Sequence, residues 1–477
     1  MAFGDESASL LEMSRALCLW LLVSAGCVDR PAPTRPDAAE SSDAPPGVDR
    51  TDGSGPQDVG PNPDAAPSPD AAPSPDAELA LDAAPSPDAG IDPRVVIGAT
   101  AFVAGVLEMS GPGATGATRP TRAELLPLPG GPSGAPVLTS NNPEVFTGDG
   151  VLYTNARPSS TRGGTPVRLD GRFGVYLHHL NRSGMMKAVS ILVTNPNPVD
   201  LTVSLRGSGY SQGETGGLGL GLSPDYRVSR EWILDQPDSV SGATTLATAR
   251  GAVLWTKPAN DNQEIDGRFV IESSGPIYVY VVVTSGGLLA QALAVTQAQP
   301  MLDAPGDYRV SGAPPPPFGR EAGVYAADTW ISSFDVMLPA SGAAHVAFMV
   351  NTATGVGLSQ IQAFGALGHY AESAAEAVGM YGNVYDLDVG LVASAHAVGT
   401  TRIRVAFHSL ATANLSRLWD GAALVDGLVR DVRHIPGAET TTLLDATLSP
   451  GELRRLRFRA MVPGLTSIPQ AFTVEVF

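Results

Sequence analysis

From residue 94 onward, short β-rich runs, some with apolar side chains at every second position, are interrupted by Gly, Pro, Asn and Asp. That period belongs to strands with one face in a core. Leu201-Thr202-Val203-Ser204-Leu205 alternates in this way, and Lys187–Thr194 precedes it. The intervening Asn195-Pro196-Asn197-Pro198 supplies turn chemistry, so the two segments are expected to form an antiparallel hairpin. Ile277–Thr284 is nearly all apolar and predicts a central strand, and similar signals recur at Ala344–Asn351, Tyr385–Ser394, Arg402–His408 and Phe472–Phe477. Helical spacing is confined to Val228–Leu234 and to Ser241–Leu254, the latter readable as a helical excursion or a loop. Without crossover helices an α/β sheet is not built. The expected class is all-β, with two β-sandwich or jelly-roll-like domains at residues 94–312 and 321–477, joined by a Pro-rich linker at 313–320.

The pattern upstream is different. Ala16–Cys27 carries an apolar stretch of about eleven residues, too short for a membrane-spanning helix, which needs roughly 20, but suited to a secretory signal. Ser24-Ala25-Gly26 followed by Cys27 resembles a bacterial lipoprotein box, with Ser24 where Leu is usual. That resemblance implies a signal peptide over 1–27 and lipid attachment at Cys27, with cleavage near Gly26 and simple secretion as the alternative. Asp5, Glu6 and Glu12 do not suit a basic leader, which points to a start at Met13 in place of Met1. Residues 28–93 repeat Pro-Ser-Pro-Asp-Ala units with almost no apolar bulk, so they cannot offset the entropy of folding and read as a disordered, low-complexity tether.

Charge divides along the same line. Of the net −18, the tether carries −11 and residues 94–477 only −5. A nearly neutral head with scattered arginines has no basic stripe, which argues against nucleic acid as a partner. Both cysteines lie at or before position 27, so a mature chain beginning at Cys27 has no thiol for a disulfide, a zinc cluster or a nucleophile.

A few residues are surface candidates for chemistry. His178 and His179 are adjacent on a strand and point to opposite faces, so one packs, the other is exposed, and a metal there needs ligands from elsewhere. Asp386 and Asp388 share a strand face, an arrangement that suits a cation or a catalytic carboxylate pair but is more often merely solvated. Asp261–Gly267 has the composition of a calcium loop but not its spacing, with Asp266 where the sharp turn requires Gly, and reads as an acidic hairpin loop. The glycine-rich Gly213–Leu222 lacks the Lys-Ser/Thr ending of a phosphate loop, and no serine-hydrolase elbow is present. Asp170-Gly171-Arg172-Phe173 and Asp266-Gly267-Arg268-Phe269 each read as a strand entry with Phe turned to the core, a weak internal duplication being the alternative. No catalytic residue, metal site or cofactor is assigned.

Ser140-Asn141-Asn142-Pro143-Glu144-Val145, Gly171-Arg172-Phe173 with His178-His179, Ile191–Pro196, Ser273–Val279 and Tyr381–Tyr385 together resemble an uncharacterised secreted bacterial family, domain of unknown function 3370. The resemblance implies an exported β-rich protein and carries no activity. The resulting expectation is an outer-membrane lipoprotein of the cell envelope, or alternatively a secreted protein, held to the membrane by its N-terminal lipid. It would display a non-catalytic binding or structural module with envelope polysaccharide or protein as partner. Tyr176, Tyr210, Trp255 and Tyr278 are candidate stacking platforms, although core packing accounts for most such residues. A polysaccharide-active hydrolase or lyase using Asp386 or Asp388 is the alternative.

Overall fold

A 21-residue strand, Glu264–Thr284, runs through both layers of the first of two sandwiches. Its first half lies between Leu201–Ser211 and Leu169–Asn181, antiparallel to both. After a register shift between Ser273 and Ile277, at Gly275-Pro276, its second half lies between Lys187–Thr194 and Gly150–Thr154. The bend places the two halves on opposite sides of one core. Phe173, Val175, Leu177, Phe269 and Ile271 meet Val189, Ile191, Val193, Val279, Val281 and Val283 there, all buried. Each such side chain withdrawn from water contributes about 1.5–3 kcal/mol.

The computed structural model describes residues 107–108, 120–121, 124–156, 166–212, 223–298, 320–351, 362–370, 373–410, 418–466 and 469–477. The leader with Cys27, the tether, the glycine-rich 213–222 segment and the Pro-rich 313–319 stretch lie outside these residues. The nearly all-β content agrees with the class expected from the alternation, and Ile277–Thr284 is the central strand its composition predicts.

Two local expectations are corrected. Lys187–Thr194 and Leu201–Ser211 are not a hairpin: the first pairs with Gly251–Ala259 and the second half of the long strand, the second with Ser239–Leu246 and the first half. Asn195 shapes the crossing between layers. Its amide donates to the carbonyls of Val199 and Leu246 at 2.8 and 2.9 Å, while its side-chain oxygen accepts from the Asn197 N–H. Both strands thus aim apolar residues at the same core from opposite sides. Ser241–Leu254, read as helix or loop, belongs instead to the strands Ser239–Leu246 and Gly251–Ala259.

The second sandwich packs Thr329–Met337, Val384–Val392, Leu453–Met461, Trp419–Val425 and Leu428–His434 against Ala344–Val350, Gln470–Val476, Thr401–Ser409 and Thr440–Leu448. Phe407 centres its core, with ring centroids 5.0 Å from Trp419 and 5.5 Å from Phe458. The chain passes between sandwiches more than once. Leu125–Leu126 and Gly131–Ser133 add to sheets of the second, Val137–Ser140 then joins Leu169–Asn181 in the first, and Ala322–Tyr325 pairs back onto Val137–Ser140.

One helix, Pro224–Ile233, lies between them. Ser223 caps it by accepting the Tyr226 N–H, and Pro224 at its start has no N–H to leave unmet. Tyr226, Val228 and Ile233 pack with Tyr210 of the first sandwich and Val384, Ala422 and Met461 of the second.

Candidate functional site

Alternation along paired strands sets which side chains share a face. Asp266 pairs across from His178 and Arg268 from Tyr176, while Phe269, Val175 and Leu177 turn the other way into the core. Tyr176, His178, Glu264, Asp266 and Arg268 therefore occupy the outer face of the first sandwich. In an isolated sandwich that face would meet water. Here the helix and two loops of the second sandwich cover it, and all five residues are buried.

The cover is held by specific bonds. Arg268 donates through Nε to the Gly382 carbonyl at 2.8 Å, places its guanidinium 4.3 Å from the Trp232 ring centroid, and approaches Asp328 Oδ2 at 3.4 Å. Gly382 has φ +73, and a Cβ there would sit 2.3 Å from Tyr176 Cδ2, so both the conformation and the contact require glycine. Gly382 N–H in turn donates to the Val462 carbonyl at 2.9 Å, tying the 380–383 loop to the 462–466 loop.

Beneath this cover, His178 Nδ1 lies 3.2 Å from Asp266 Oδ1 and 3.6 Å from Asp225 Oδ1, the latter from the first turn of the helix. One donor atom from each of the three lies within 4.8 Å of the others. Burial opposes charge on the imidazole, but the hydrogen bonds it donates to Asp225 and Asp266 outweigh this and hold His178 protonated well above its ordinary range. Burial pushes the Asp266 carboxyl up, aided by Asp225 and resisted by His178. Glu264 is raised for the same first reason, with Asp225 next. Along the same wall, Thr139 Oγ1, Asn141 Oδ1, Tyr176 Oη, Glu264 Oε1, Asp266 Oδ2 and both Glu321 carboxyl oxygens are buried without a hydrogen-bond partner among the described residues. Burial alone raises Glu321 to about 8.

The sequence candidates separate. His178 and His179 do point to opposite faces, but neither is at the surface: they are 3 % and 0 % exposed. His179 is structural, its Nε2 3.0 Å from Ser140 Oγ and its Nδ1 2.9 Å from the Pro143 carbonyl. Asp386 and Asp388 stand on the open face of a second-sandwich sheet, opposite Arg459 and Arg457 in register. Asp386 pairs loosely with Arg459 at 4.0 Å and Asp388 with Arg455 at 3.4 Å, a solvated charge ladder and not two acids facing across a cleft. Asp261 and Asn262 hold a turn, with Asp261 accepting from the Gly184 N–H at 2.9 Å and Asn262 bonded to Arg182. Tyr176, Tyr210 and Trp255 are buried, leaving only Tyr278 of the four candidate platforms partly open. Of the two Asp-Gly-Arg-Phe segments, the first opens its strand, with Gly171 at φ +63, whereas Asp266–Phe269 lies inside one.

A cleft of about 290 Å³ opens beside the buried wall. Trp232 and Glu231 of the helix, Asp235 just beyond it, Arg172 and Arg206 of the first sandwich and Arg459 of the second line it. Of these only Arg172 falls in a motif, the Asp170–Phe173 segment, which reads as a strand entry and not as a binding site. The signal available was a lone tryptophan on one of the two segments with helical spacing, Val228–Leu234.

Residues 123–215 match the family described as Protein of unknown function (DUF3370), the family that the sequence motifs resemble. The motifs near Tyr278 and Tyr381 lie beyond the matched residues. No curated protein matches the chain. Among solved structures, the N-terminal CBM22-1-CBM22-2 tandem domain of Xyn10C from Paenibacillus barcinonensis aligns at 11% identity over 69% of this chain and 91% of that one. Its TM-score is 0.14, which gives no basis for transferring a property between the two.

Proposed function

We propose that this chain is a non-catalytic binding module of the bacterial cell envelope, carried on a lipid anchor at Cys27 and a flexible tether, and that its ligand seat is the Trp232 cleft. The chemistry of that cleft selects an acidic polysaccharide. A sugar ring stacks on an indole through its apolar C–H face, and a uronate carboxylate pairs with guanidinium groups in bidentate fashion. Trp232 is only half-buried, and its far face is braced by Arg268, so the indole is pre-oriented without a ligand.

The observation that carries this reading is the convergence of Arg172, Arg206 and Arg459 around that indole. Their existing partners are exposed acids, Glu272 at 3.1 Å, Asp235 at 2.5 Å and Asp386 at 4.0 Å. Exposed pairs of this kind contribute about 0–1 kcal/mol each, so exchanging them for a ligand carboxylate costs little. The volume is at the small end for ligand sites, which suits a few sugar units of a longer chain.

Glycan-array binding with the full chain, run beside a reducing-end assay on the same polymers, tests the proposal. Retention of uronate-containing glycans without new reducing ends is expected. Uniform failure to bind, or cleavage of a bound polymer, contradicts it.

A further inference from the structure

The His178 cluster lies behind the cleft, and the proposed ligand reading makes no use of it. It joins a strand, a second strand and a helix that are distant in sequence, and it places three carboxyls around one imidazole: Asp225 and Asp266 beside Nδ1, and Glu264 next to Asp225. Arg227 on the same helix is directed elsewhere, with its guanidinium 3.5 Å from the Tyr210 ring centroid.

We infer that His178 Nδ1, Asp225 and Asp266 form a binding site for one divalent first-row transition-metal cation, which displaces the Nδ1 proton to solvent on binding and fastens the helix to the first sandwich. A tetrahedral cation with bonds of about 2.1 Å holds its ligand atoms about 3.4 Å apart. The 3.2 and 3.6 Å separations from His178 Nδ1 bracket that edge length. Tyr176 Oη, fully buried, is turned toward the same place beside Asp266. The position of a Cβ on residue 464 lies 2.4 Å from His178 Nδ1, 2.4 Å from Asp225 Oδ1 and 2.8 Å from Tyr176 Oη. Glycine at 464 keeps the space among these donors clear. One imidazole with carboxylates suits zinc or a neighbouring ion better than calcium, which takes six to eight oxygens.

The test uses the full chain, unfolded, stripped with chelator, refolded with Zn2+ or Co2+ and desalted. One retained equivalent of metal is expected, with visible ligand-field absorption for the Co2+ form. His178→Gln and Asp225→Asn should each weaken binding by more than about 100-fold, beyond the 10–100-fold that loss of a merely supporting residue costs. Gly464→Ala should lower loading with every ligand in place. His345→Gln, which alters the more open His345–Glu124 pair, should leave binding unchanged. X-ray absorption at the zinc edge of the unsubstituted chain needs no variant to fold, and should show a single imidazole among oxygen donors. No retained metal, undiminished binding in folded His178→Gln, or a zinc environment with no imidazole or more than one would each overturn the inference.

Discussion

Arg268, fully buried on the first sandwich, donates through Nε to the carbonyl of Gly382 on the second at 2.8 Å. The bond crosses between two cores, and burial lowers the guanidinium to about 10 while Asp328 opposes the shift. Removing such a group strands its partners without solvent. Arg268→Met should therefore destabilise the chain by about 3–5 kcal/mol in urea unfolding. Arg268→Lys should recover only part of this, because an ammonium cannot serve Gly382, Phe269 and Asp328 in the same plane.

Gly382 is the other half of the contact. Gly382→Ala adds a methyl against the Tyr176 ring at a positive φ, and should cost about 2–5 kcal/mol from strain and overpacking together. Gly365→Ala, where a Cβ meets nothing within 4 Å, is the control and should change the urea midpoint little.

Glu321 gives a pH signature. Its carboxyl titrates at about 8 when folded against an ordinary 4.5, so between those values the folded chain holds a proton that the unfolded chain releases. That contribution is intact below about pH 4.5, and stability falls as pH rises toward 8. Glu321→Gln removes this slope. Its stability relative to the unsubstituted chain should rise across the window by at most about 1.4 kcal/mol per pH unit and level off above it, as read by urea titrations at stepped pH.

Strands were legible because period-two alternation reports directly on a core, as at Leu201–Leu205, and because a nearly continuous apolar run marks a central strand, as at Ile277–Thr284. Their partners were not, since Asn195–Pro198 serves a hairpin and a crossing between layers equally well by composition. The buried wall was illegible for a related reason. Asp266 and Arg268 alternate with Gly267 and Phe269 as on a solvated strand, and only loops some 110 to 200 residues further on, at 380–383 and 462–466, take that face out of water. A single acid in the first turn of a helix, such as Asp225, reads as a partner of the helix dipole until the fold brings His178 to it.

The anchor has its own test. Cys27→Ser should move the protein from the membrane fraction to the soluble one and abolish labelling by a radioactive fatty acid, because acyl chains supply the membrane affinity at about 0.8 kcal/mol per buried methylene. Unchanged fractionation of the variant would remove the anchor from the proposal.

Calorimetric titration of a polyuronate into the full chain, with Trp232→Ala alongside, addresses the binding claim most directly. A saturable heat that weakens at least tenfold in Trp232→Ala and fades with added salt is the result this account predicts. Affinity that survives loss of the indole, or no heat at all from the unsubstituted chain, would contradict it.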